Sequence, residues 1–208
     1  MVKLYTWLPV QPDTLVERQI APDLGHCSLA VLDEKGNTEL YASYWPEIDG
    51  IAGKMTDFLK HRHTRQPKSY AEEIDPTARF MERPADFIDD IDGLDERLVV
   101  KAWARLRHRR YDLRRWNCSN VAKQMLLAGM TKRDRRFASA ASRCGEDCVV
   151  KPSRFNDAME WLRAVLCFHV ITCAPEDVRR MVAAYNDLKV RRHRPVPAKR
   201  EESELAEV

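Results

Sequence analysis

Residues 114–130 read RRWNCSNVAKQMLLAGM, and this stretch decides how the rest of the chain is read. From Cys118 the apolar positions run Val121, Ala122, Met125 and Leu126 to Gly129, the i, i+3, i+4, i+7 spacing of a helix stripe that faces a core. Ser119, Asn120, Lys123 and Gln124 fill the polar side. Asn117 suits the N-cap, because its side-chain oxygen can accept an otherwise unpaired N–H of the first turn, and Gly129 suits the far end. Cys118 is then the first helical residue. A thiol there meets the positive end of the helix dipole, which favours thiolate and lowers its pKa from about 8.5. An isolated cysteine in such a place more often packs than reacts, so a catalytic reading needs a partner.

The whole chain sets bounds on the answer. Its 208 residues are enough for one domain with a core that folds without staples. Hydrophobic residues make up 44% and charged residues 32%, yet the net charge is only +3, so the chain is not a polycation. Residues 101–115, KAWARLRHRRYDLRR, carry seven Lys or Arg against one Asp, while residues 86–96, DFIDDIDGLDE, are strongly acidic. Neighbouring blocks of this kind fit a solvated helix face and a complementary loop. The N-terminal MVKLYTWLPV lacks the pattern of a secretory signal, and the longest apolar run, VLCFHVITC at 165–173, is too short for the roughly 20 residues of a membrane span. Synthesis in the cytoplasm without a signal peptide, and no stable membrane insertion, are expected. The six cysteines (Cys27, Cys118, Cys144, Cys148, Cys167, Cys173) are accordingly expected as thiols. Cys144 and Cys148 are the only closely spaced pair, and with no second pair at zinc-like spacing no metal is expected. His61 and His63 fall in a polar, basic stretch and read as surface.

Along the chain, residues 3–10 read as a first strand. Residues 25–32 and 39–45 read as a hairpin about Lys35 and Gly36. Residues 51–60 suggest a short helix, and residues 62–84 a long polar loop. A helix opens at Asp92 or Asp95 and runs to about Arg107, with Leu98, Val99, Ala102, Trp103 and Leu106 on one face. After the Cys118 helix, Ser153 caps a further one, and Pro175 starts a last helix bearing Val178, Met181, Val182 and Tyr185. Residues 189–208 alternate basic, proline-containing and acidic blocks and read as a disordered charged tail behind a single domain over 1–188.

His26 supplies the partner. It heads the first hairpin strand directly after Gly25, and with the turn at Lys35 and Gly36 residue pairs sum to about 71, which sets it opposite Trp45 with Tyr41 and Ser43 on the same face. A lone strand histidine is ordinarily a satisfied core or edge residue. An imidazole at a strand start and a thiol at a helix start are nevertheless how a Cys–His pair is assembled from distant parts of a chain. A third polar group would hold the ring, and Ser43 is the choice, with Tyr41 and Glu47 as alternatives.

The motifs GHCSLAVL and YASYWPE, followed much later by YDLRRWNCSNVAKQML, resemble the circularly permuted papain-like cysteine hydrolases, in which the histidine strand precedes the cysteine helix. That group includes permuted NlpC-type cell-wall peptidases, the lecithin:retinol acyltransferase family and bacterial type VI secretion effectors. The resemblance covers about residues 25–130. Asn120 departs from the glycine of the Asp-Cys-Ser-Gly motif of the unpermuted NlpC-type enzymes, and Ser43 stands where they carry His, Asn or Gln. The resemblance implies an α+β fold, with a small antiparallel sheet against the cysteine helix and added C-terminal helices. It implies a cysteine hydrolase with Cys118 as nucleophile, His26 as base and acid, and no cofactor. Asn117, Tyr111, Tyr41 and Trp45 would bind substrate or the oxyanion. Its substrate would be peptidoglycan stem peptides, cleaved in the periplasm of a target bacterium after export by a secretion-machine carrier, with an immunity protein as partner. A thiol acyltransferase or esterase acting on lipid or protein acyl groups is the second reading. A non-catalytic module binding nucleic acid through residues 101–115 and 133–136 is the third. The acidic block and small net charge speak against it, and no nucleic-acid partner is expected.

Overall fold

In the computed structural model of the chain, residues 1–9, 25–46, 64–78, 80–111, 116–141 and 174–193 are described. In chain order they form β1 (Val2–Trp7), β2 (His26–Leu32), β3 (Thr38–Ala42), β4 (Trp45–Pro46), β5 (Thr64–Arg65), α1 (Tyr70–Ile74), β6 (Phe87–Ile91), α2 (Glu96–Leu106), α3 (Cys118–Gly129), α4 (Lys132–Ala141) and α5 (Pro175–His193). The class is α+β.

All seven residues of β2, HCSLAVL, are buried, so this strand carries no polar alternation; it needs cover on both faces, and the sheet supplies it. Four antiparallel strands run in the order β3-β2-β1-β6. On one face Val2, Leu4, Cys27, Leu29, Val31 and Ala42 join the core built with the long helices. On the other, Tyr5, Trp7, Ala30, Leu32 and Tyr41 pack with Tyr70 and Ile74 of α1 and with Met81 and Ala85. The hairpin register is the expected one: Leu29 faces Ala42, Ala30 faces Tyr41 and Val31 faces Leu40, with an irregularity at Val31 and Leu32 beside the turn.

Helix α3 starts where its sequence says. The Asn117 side chain accepts from the Asn120 N–H at 2.8 Å, and the Asn120 side chain reaches back to the Asn117 N–H, a reciprocal cap that satisfies two end donors. Val121, Ala122, Met125 and Leu126 are buried, each large side chain contributing about 1.5–3 kcal/mol by leaving water. Gly129 has a reason beyond helix ending: a Cβ there would stand 2.7 Å from Val99 Cγ2, so its bare backbone lets α3 lie close against α2. The Asp95 N–H donates to the Gly129 carbonyl at 2.9 Å across the same contact. Asp95 caps α2, which buries Val99, Ala102, Trp103 and Leu106. Val178, Met181, Val182 and Tyr185 of α5 are fully buried.

Several expectations are corrected. Leu98 is 44% exposed, so the α2 stripe begins at Val99. The stretch 62–84 is not one long loop: it contains β5 and α1, the latter capped by Ser69, whose side chain accepts from Glu72. The acidic stretch contributes β6, an edge strand whose Asp90 pairs with Lys3 and whose Asp89 pairs with Arg179 of α5, so a strand edge replaces the expected complementary loop. The basic stretch 133–136 lies in α4. Helix α5 continues through His193, where Lys189 and Arg192 both meet the buried carboxylate of Asp134, so 189–193 belong to a helix and not to a tail. The helices expected over 51–60 and after Ser153, the proposed surface histidines and Glu47 lie outside the described residues. Among the described residues no helix is long and apolar enough to cross a membrane.

Candidate active site

Two backbone features bring His26 to a fixed place. Gly25 has φ +70°, and a Cβ on it would stand 2.5 Å from the Trp7 carbonyl oxygen, so only glycine lets the chain enter β2 this close to the end of β1. The next residue, His26, then pairs with Trp7 at the sheet end. Its ring lies stacked on Trp45, centroids 4.2 Å apart at 23°, with Trp7 tilted against it at 5.6 Å. The ring is 2% exposed.

From the opposite side of the sheet, the start of α3 presents Cys118, 7% exposed, within hydrogen-bonding reach of the same imidazole. The ring's Nε2 is engaged elsewhere, 3.1 Å from Glu73 Oε1 and 3.0 Å from Ser43 Oγ. Nδ1 is therefore the nitrogen left for the sulfur. The sequence-expected pair is thus assembled, 92 positions apart in numbering, from one strand end and one helix end.

The group that orients the histidine is Glu73, in α1, which the sequence reading missed. It is fully buried, and its carboxylate accepts from Ser43 Oγ, from Tyr41 Oη, and from Trp45 Nε1 at 2.7 Å, in addition to His26. A buried carboxylate is tolerated only when its lone pairs are met in this way. Ser43 does touch the ring, as expected, yet its hydroxyl also donates to Glu73, so it bridges the two and the negative charge is supplied by Glu73. Tyr41 and Trp45, expected to bind substrate, hold Glu73; Tyr41 Oη also bonds Ser28 Oγ at 2.8 Å. The Asn117 oxygen is committed to the helix cap, and Tyr111 stacks on Tyr44 at 5.6 Å in the core.

The charges reinforce one another. Burial by itself would depress the His26 imidazolium, but the Cys118 thiolate and the Glu73 carboxylate outweigh it and raise its pKa to about 10. Burial would raise Glu73; the His26 charge, together with the bonds from His26, Ser43 and Tyr41, lowers it to about 2. The Cys118 thiol is pulled well below its ordinary value by a hydrogen bond from the Cys27 thiol and, against burial, by the charge and hydrogen bond of His26. Burial and the neighbouring Glu73 charge push the Tyr41 phenol far up, so it stays a donor. The three shifts favour a thiolate, an imidazolium and a carboxylate in a row. Among the described residues no cluster of His, Cys, Asp and Glu is arranged to hold a metal ion.

Comparison with protein-family models, with curated proteins and with solved structures found no match for this chain.

Proposed function

We propose that this chain is a cysteine hydrolase working through Cys118, His26 and Glu73. The observation that carries the reading is the row of three buried groups, nucleophile to imidazole to carboxylate, drawn from α3, β2 and α1. A charged row of this kind costs stability and serves nucleophilic chemistry well.

The Cys118 thiolate attacks a carbonyl carbon, and the tetrahedral oxyanion lies by the first N–H groups of α3, which the helix end aims outward. The His26 imidazolium gives its proton to the departing amine nitrogen as the C–N bond breaks, leaving an acyl group on sulfur. Neutral His26 then takes a proton from water, whose oxygen attacks the thioester and releases the acid and the thiolate. Glu73 holds the ring's other nitrogen throughout and offsets the positive charge when it is present.

The resemblance to permuted papain-like hydrolases directs this chemistry to the amide bonds of peptidoglycan stem peptides, in the manner of type VI secretion effectors active in a target bacterium's periplasm. Incubation of the purified protein, kept reduced, with isolated peptidoglycan tests it by muropeptide analysis. Release of products cut in the stem peptide by the wild type, absent with Cys118→Ala and with His26→Ala, is the expected result. No release by the wild type, or equal release by Cys118→Ala, removes the proposal.

A further inference from the structure

A second thiol lies near the nucleophile and forms no bond to substrate in the proposed hydrolytic cycle. Cys27 is 1% exposed, follows His26 in β2, and points to the helix-bearing face of the sheet, the face on which α3 begins. Both sulfurs bear on one hydroxyl: Ser119 Oγ is 3.6 Å from Cys27 Sγ and 3.9 Å from Cys118 Sγ. Cys27 also acts on Cys118 to favour its thiolate. Neither cysteine is in a disulfide. One thiol is on a strand and the other on the first turn of a helix packed against it, both within 3.9 Å of the same hydroxyl oxygen, and an S–S bond of roughly 2.05 Å requires the two sulfurs to turn from that oxygen to each other.

We infer that Cys27 and Cys118 form a reversible intramolecular disulfide that silences the site when a peroxide is present and returns it when a dithiol reductant arrives. The inference rests on the reading of Cys118 as nucleophile and adds its control. In the first step the Cys118 thiolate attacks one peroxide oxygen; the O–O bond breaks, hydroxide leaves, and sulfur is oxidised by two electrons to the sulfenic acid. In the second, the Cys27 sulfur attacks the Cys118 sulfur; the S–S bond forms, the S–O bond breaks, and the hydroxyl leaves with the Cys27 proton as water. The dithiol then reduces the bond through a mixed disulfide and is itself oxidised. Cys118 is thereby spared the sulfinic and sulfonic acids that no dithiol reverses.

The experiment treats the full chain with hydrogen peroxide, then reads intact mass, linked peptides and iodoacetamide labelling of Cys118 by mass spectrometry, each protein referred to its own labelling before oxidation. In the wild type the expected result is a peptide joining Cys27 to Cys118, loss of two hydrogens, loss of nearly all Cys118 labelling, and its return with dithiothreitol. In Cys27→Ser and Cys27→Ala the expected result is oxygen addition at Cys118 that dithiothreitol does not undo. Oxygen addition in place of the linked peptide in the wild type, or lack of any reaction at Cys118, overturns the inference; so does identical, reversible behaviour of wild type and variants. A linked peptide without any muropeptide release keeps the disulfide and removes the hydrolase. Muropeptide release that survives peroxide with no linked peptide does the reverse.

Discussion

His26 Nε2 lies 3.1 Å from Glu73 Oε1, with both side chains sealed from solvent. A full negative charge in that position obliges the imidazole to stay protonated or to keep its proton on Nε2, and either state leaves Nδ1 directed at Cys118. The chemistry of the site therefore depends on a residue of a five-residue helix that does not touch the sulfur.

Replacing Glu73 separates charge from packing. Glu73→Gln keeps the shape and removes the charge, so labelling of Cys118 by iodoacetamide near neutral pH should fall at least tenfold while the fold persists. Glu73→Ala leaves the donors of His26, Ser43, Tyr41 and Trp45 facing a void, and breaking such a buried network costs about 3–5 kcal/mol. Urea unfolding of the two variants checks the difference; equal labelling of Glu73→Gln and wild type would remove Glu73 from the account.

Ser43→Ala discriminates between the hydroxyl expected from sequence and the carboxylate found in the structure. It deletes one bond to a charged acceptor, about 1.5–3 kcal/mol, yet leaves the His26 to Glu73 contact in place. Its loss of Cys118 labelling should be several-fold smaller than that of Glu73→Gln. The opposite order would return Ser43 to the central role.

Stability should be level over a broad window and fall on either side. His26, raised from 6.5 to about 10, contributes fully below pH 6.5 and is lost as pH rises through about 10. Cys118, lowered from 9.0, contributes fully above pH 9.0 and is lost as pH falls toward its folded value. Between 6.5 and 9.0 the two changes offset, because folded and unfolded chains hold the same number of protons on the pair. Below 6.5 only the thiolate's contribution changes, and above 9.0 only the imidazolium's, so stability drops both ways. Glu73, lowered from 4.5 to about 2, adds a further loss below pH 4.5. Urea midpoints measured from pH 4 to pH 10 check the shape, and Cys118→Ala should remove the thiolate's fall below pH 6.5, leaving on the acid side only the loss at Glu73 below pH 4.5.

Gly129→Ala should push α3 from α2 at Val99, at a cost of about 1–3 kcal/mol typical of overpacking. Paired with Val99→Ala, which makes room, its cost should shrink, and a double-mutant cycle in urea reads the coupling. Strict additivity would show that the contact does not limit the helix separation.

What the sequence disclosed was local. The cap at Asn117, the stripe on α3 and the hairpin register follow from neighbouring residues and turn chemistry, so Cys118 and His26 could be placed and their faces named. Glu73 was hidden because α1 is too short to show a helical period and its surroundings are polar; the Ser69 cap three residues ahead of Glu72 was the one available signal. Its burial comes from the second face of the sheet, a property of tertiary packing. Strand β6 was hidden by its own charges, since Asp89 and Asp90 sit on an edge where they pair with Arg179 and Lys3, and Ile88 is 51% exposed. Leu98 was placed inside because it lies one residue from the true stripe.

The central claim is that Cys118 is held toward thiolate by Cys27 and, against burial, by His26 and its surroundings. The most direct measurement is the rate of iodoacetamide labelling of Cys118, followed by peptide mass spectrometry, as pH is lowered from about 8.5, the ordinary thiol value, to about 5. The wild-type rate is expected to hold to a lower pH than that of His26→Ala, whose rate falls once pH drops below the ordinary thiol value. A wild-type rate that falls in the same way as the variant's would contradict it.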